Sequence, residues 1–63
     1  MNYYIYYVGG QEAREYLNGT NYVGVWENNE IDAFNKVKSY FKENTTIVSV
    51  SKEQVRGLIG YLY

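Results

Sequence analysis

Few side chains in this 63-residue chain could do chemistry. It has no His, no Cys and a single Met at position 1, so an imidazole base, a thiolate nucleophile and a soft metal site are out of reach. Carboxylate, Lys, Tyr and Ser chemistry is left. Acids gather once, at Glu27, Glu30 and Asp32, where oxygen ligands could receive a hard cation such as Mg²⁺ or Ca²⁺. Asn29 sits among them as an N-cap ahead of an amphipathic stretch, and the positive end of a helix dipole favours the acids themselves over a cation. They read as helix-capping charge. No enzyme, metal or cofactor is expected.

Glycine patterns lead no further. Gly57-Leu58-Ile59-Gly60 has the outline of the GxxG loop with which KH domains clamp a nucleic-acid backbone. Its middle pair is apolar where a phosphate-facing loop is polar or basic, so packing is the expected role. Gly9-Gly10 lacks the rest of a P-loop or dinucleotide fingerprint and reads as a strand end. Asn18-Gly19-Thr20 and Asn44-Thr45-Thr46 match the glycosylation acceptor pattern. Without export they serve as turn and cap residues.

Aromatic residues are the feature that asks for more. Nine Tyr, two Phe and one Trp make up 19% of the chain. Tyr offers large, rigid contact area at low entropic cost at protein interfaces, and its ring also stacks on nucleic-acid bases. Two functional readings follow, beside the plain one in which the rings fill the edges of a small, Leu-poor core. In the first, a Tyr-rich sheet face built from Tyr4, Tyr6, Tyr22 and Trp26, with Tyr61 and Tyr63 as satellites, docks on a partner protein or on a second copy as a homodimer. In the second, the same rings stack on single-stranded nucleic acid while Arg14, Lys36, Lys38, Lys42, Lys52 and Arg56 meet phosphates. A net charge of −1 and a pI near 5.2 argue against a duplex-DNA binder. Because the Tyr-rich N-terminal stretch carries no basic residue, protein contact is preferred over nucleic acid.

The element best specified by sequence is a helix over Asn29–Glu43. Asn29 is the N-cap, with Asp32 three residues on as the shorter relative of a capping box. At about 100° per residue, Ile31, Ala33, Phe34, Val37, Tyr40 and Phe41 share one half-circle, which predicts a buried face. Acids lead and Lys36, Lys38 and Lys42 follow, as the dipole prefers, with Asp32 and Lys36 as an i,i+4 pair. Asn44 ends the helix.

Strands are expected on either side. Asn2 to Val8 is rich in β-formers, and its two faces, Tyr3/Ile5/Tyr7 and Tyr4/Tyr6/Val8, are equally apolar in body. Thr20 to Glu27 alternates Tyr22/Gly24/Trp26 against Val23/Val25. Gly24 inside it marks a bulge or a close approach. Thr45 to Val50 is β-branched and gives a third strand. Gln11 to Asn18 reads as a short helix with Gly19 at C′, through Ala13/Tyr16/Leu17, with an Asn18-Gly19 hairpin as the alternative. From Ser51 a capping box and Val55/Leu58/Ile59/Leu62 predict a second helix, or an extended tail if Gly57 and Gly60 break it.

The expected architecture is a single α+β domain over residues 1–63: a small sheet of three strands, or four, with the long helix across one face and a C-terminal helix or tail. No export signal is visible and the longest apolar run, Tyr3 to Val8, is too short to span a bilayer, so a cytoplasmic protein without membrane association is expected. In size, absence of Cys and Tyr- and Asn-rich composition the chain resembles the small inhibitors and accessory proteins carried by bacteriophages and other mobile elements. That likeness implies a non-enzymatic protein acting on a host protein, such as one of host defence.

Overall fold

The computed structural model describes residues 1–41 and 46–62. In chain order it contains β1 (Asn2–Val8), α1 (Gln11–Tyr16), β2 (Tyr22–Glu27), α2 (Glu30–Tyr40), β3 (Ile47–Val50), a 3-10 turn (Lys52–Gln54) and β4 (Gly60–Tyr61). The strands form one mixed sheet in the order β3-β1-β2-β4, so the α+β expectation holds with four strands. β1 is antiparallel to both neighbours, and β4 runs parallel to β2. β2 and β3 are therefore parallel to each other with β1 between them. The strand-helix-strand unit read from the sequence exists as a crossover split by the first strand.

α1 forms where helix and hairpin competed. Asn18 adopts φ 62 and Gly19 φ 99. The Gly19 N–H donates to the Arg14 carbonyl at 2.8 Å and the Asn18 N–H to the Glu15 carbonyl at 3.3 Å. This is a Schellman ending with Asn18, rather than Gly19, at C′. The pair that signals a hairpin turn serves here as a helix stop. A short helix is thus inserted into an otherwise antiparallel β1–β2 connection, and Asn21 ties it down through its side-chain amide, which donates to the Val8 and Gly10 carbonyls at 2.8 and 3.1 Å.

α2 starts as expected. The Asn29 side chain accepts from the Asp32 N–H at 2.9 Å, and its amide donates to the Asp32 carboxylate at 3.2 Å. Two details differ from the sequence reading. Lys36 pairs with Glu27 at 3.4 Å instead of with Asp32, because Glu27 ends the strand lying under the helix. The buried face is also narrower than a half-circle: Ala33, Val37 and Phe41 form an i,i+4,i+8 ridge that enters the core, while Ile31 is 74% exposed and Phe34 and Tyr40 lie at the margin. α2 packs chiefly over β2 and β1, and these flanking positions lie at the border of that contact. The Lys42 to Asn44 end of the expected helix lies outside the described residues.

The core joins Ala33, Val37 and Phe41 to Tyr6, Val8, Val23, Val25, Ala13 and Leu17, with Tyr4, Ile47 and Leu62 packed against it. Tyr16 closes one end, its ring edge-on to Phe41 at a centroid distance of 5.5 Å. The second helix expected after Ser51 is not formed. Ser51 and Gln54 do make their capping box, with the Ser51 N–H donating to Gln54 Oε1 at 2.8 Å. Only a 3-10 turn follows: Val55 turns extended, and Gly57 takes φ 100. Gly60 then passes so close to Leu17 that a Cβ there would meet its side chain at 2.9 Å. The glycine pair expected to break the helix does so, and the tail becomes β4. Thr20 secures it, its hydroxyl donating to the Leu58 carbonyl at 2.6 Å.

Candidate protein-binding face

Register decides which side chains share a surface. Tyr4, Tyr6 and Val8 lie opposite Val25, Val23 and Asn21, on the side covered by the helices. Tyr3, Ile5 and Tyr7 lie opposite Trp26, Gly24 and Tyr22, and Val50 and Val48 pair with Ile5 and Tyr7 on the other edge. Tyr61 joins them opposite Gly24. The helix-free face therefore carries Tyr3, Tyr7, Tyr22, Trp26, Val48 and Tyr61.

This placement corrects the sequence reading in part. Tyr22, Trp26 and Tyr61 do come together. Tyr4 and Tyr6 do not join them; they point the opposite way, and Tyr6 is 1% exposed, in the core beneath Phe34. Two aromatic faces of β1 had equal claims, and the side that fits against Ala33 and Val37 is the one that is covered. Tyr63 lies outside the described residues. Tyr3, Tyr7 and Val48 are the members that sequence reasoning passed over, and only the β1 register reveals them.

The face is organised as cross-strand pairs. The Val8 N–H donates to the Asn21 carbonyl at 2.8 Å, which makes the even positions of β1 the hydrogen-bonded ones toward β2. Tyr3/Trp26 and Tyr7/Tyr22 then occupy the non-hydrogen-bonded positions, where side chains come closest. Their ring centroids are 4.9 and 5.6 Å apart, tilted by 48° and 67°. Between the two pairs the Tyr3 phenol lies over Gly24, in space that any Cβ would fill. Burial, and then the hydrogen bond with and charge of Tyr61, raise the Tyr3 phenol above its ordinary pKa of 10.0.

The periphery of this face stays open. Trp26 is 54% and Tyr61 58% exposed. Ile5 at its centre is buried. Tyr3 and Tyr7 flank it along β1, and Val50 lies opposite it on β3. No Lys or Arg occurs in any of the four strands, and the acid among them, Glu27, is paired with Lys36. Among the described residues no group of three or more potential ligand side chains converges as a metal site requires. No described helix is long and apolar enough to cross a membrane. Comparison with known proteins finds no family model, no curated protein and no solved structure that matches the chain.

Proposed function

We propose that the chain is a non-enzymatic protein-binding module whose helix-free face, centred on Trp26, Tyr61, Tyr22 and Tyr7, docks on a partner protein. The observation that carries this reading is the exposure of Trp26 and Tyr61 beside the packed Tyr3/Trp26 and Tyr7/Tyr22 pairs. These are the residue types that dominate binding hot spots, held in place before a partner arrives. Neutral strands favour protein over nucleic acid: Arg14, Lys36 and Lys38 lie on the helices, Lys52 and Arg56 in the connection between β3 and β4, and phosphate contact needs cations beside the stacking rings. Size and composition shared with small phage-carried inhibitors support a role in occluding a surface of a larger host protein.

A photo-crosslinking residue at Tyr61 identifies the partner in a lysate, and Trp26→Ala tests the contact. The variant is expected to weaken association by about 2 kcal/mol or more while keeping its melt. A crosslinked partner that binds Trp26→Ala, Tyr22→Ala and Tyr7→Ala as well as the parent would overturn the assignment.

A further inference from the structure

β3 is an edge strand, and hydrogen-bond parity tells which of its groups are spare. The Gly9 N–H donates to the Thr46 carbonyl at 2.8 Å, one step beyond the Val8/Ile47 pairing. Odd positions of β1 therefore bond toward β3, complementing the even positions that bond toward β2. Val48 and Val50, opposite Tyr7 and Ile5, direct their backbone groups at β1. The N–H and C=O groups of Ile47 and Ser49 point out of the sheet. Among the described residues they meet no other backbone partner.

Natural edge strands are blunted by shortness, by charge or Pro, by a bulge or by a covering helix or loop. Ile47-Val48-Ser49-Val50 is short at four residues, but it carries no charge and no Pro, and its pairing with β1 runs without a bulge. Alongside it, on the helix side, α2 leaves a groove of about 560 Å³ lined by Tyr6, Glu30, Ile31, Phe34, Asn35 and Ser49. Ile31, the most exposed apolar side chain of α2, stands on its wall.

We infer that a second copy of this chain pairs along β3, antiparallel and two-fold symmetric about Val48, joining two four-stranded sheets into one of eight. The strand is complementary to itself. With the axis at Val48, Ile47 of one copy faces Ser49 of the other, and every outward N–H meets an outward C=O. Val48 meets its own copy at the closer, non-hydrogen-bonded position, where its exposed side chain gains cover. The same operation sets the two grooves on either side of the seam, with Ile31 and Phe34 of both copies facing one trough whose walls also carry Glu30 and Asn35. Both aromatic faces end on the same side of the joined sheet, so each dimer presents two docking surfaces.

Sedimentation equilibrium and amide hydrogen exchange test this. The expected result is a dimer in which the Ile47 and Ser49 amides are protected. Ser49→Pro removes an N–H that pairing with β1 does not use, and Val48→Lys sets like charges across the axis; each is expected to weaken dimerisation at least about tenfold with the melt retained. Mixing Val48→Lys with Val48→Glu should restore a mixed dimer, and this arm decides if Ser49→Pro fails to fold. The inference is overturned by a monomeric parent protein, by a dimer indifferent to both Val48 charges, or by one lost on Trp26→Ala instead.

Discussion

The Tyr3 phenol occupies the place where a side chain at Gly24 would begin. Gly24→Ala must displace that ring from Trp26 and Tyr61, and overpacking of this kind costs about 1–3 kcal/mol. The prediction is a lower melting temperature together with a change in Trp26 fluorescence. In a Tyr3→Ala background the same substitution should cost little, and a double-mutant cycle on thermal stability measures the coupling.

Position on the α2 ridge sets the cost of truncation. Phe41 is 8% exposed and packs against Tyr16, so Phe41→Ala should lose about 3–5 kcal/mol, enough to unfold a small domain. Phe34 is 37% exposed at the mouth of the groove, and Phe34→Ala should cost about 1–2 kcal/mol, less than a fully buried ring. Chemical denaturation of the two variants, measured side by side, checks the order.

Asn18 holds a left-handed conformation at the end of α1. A residue with a Cβ and no local hydrogen-bonding side chain is disfavoured there by about 1–2 kcal/mol. Asn18→Ala should therefore destabilise, while Asn18→Gly should be neutral or stabilising by up to about 1 kcal/mol. A lowered urea midpoint for Asn18→Ala, beside an unchanged or raised one for Asn18→Gly, is the expected outcome.

Alkaline pH should loosen the fold. Tyr6 and Tyr3 both have raised phenol pKa values: burial is the largest cause in each, followed by the Glu30 charge for Tyr6 and by Tyr61 for Tyr3. Below the ordinary value of 10.0 both phenols are neutral, folded or unfolded, and nothing is lost. Above it the unfolded chain ionises first, so stability falls as pH rises through the folded-state values. Melts recorded on either side of pH 10 should show the decline, and Tyr3→Phe and Tyr6→Phe should each flatten it.

Local signals in the sequence were sufficient for α2, where capping and periodicity agree. Asn29, Asp32 and the helical spacing from Ile31 to Phe41 announce α2, and the Ser51–Gln54 capping box forms as read, although the helix expected behind it does not. Signals that compete locally are settled by distant partners. Asn18-Gly19 suits a hairpin or a helix stop, and Asn21 bonding back to Val8 and Gly10 favours the stop. Val55, Leu58, Ile59 and Leu62 have helical spacing, yet Gly57 and the fit of Gly60 against Leu17 draw the chain into β4. The candidate face was half legible for a similar reason. Val23 and Val25 show which side of β2 is buried, but β1 has a Tyr-rich row on each side with one aliphatic residue apiece, Ile5 and Val8. Only pairing across the sheet fixes its parity.

β1, the first of the four strands in chain order, lies inside the finished sheet. Its seven residues find β2 after some twenty more have been added, and β3 after about forty. Until then an uncharged, Tyr-rich segment is free to pair with its counterpart on a neighbouring nascent chain. Closing such distant pairings also slows folding relative to a simple hairpin. α1, six residues long, is too short to hold by itself and covers Val8 only once the sheet it packs on has formed. The exposure of β1 therefore ends on one edge with β2 and on the other only with β3, the later of its two partners.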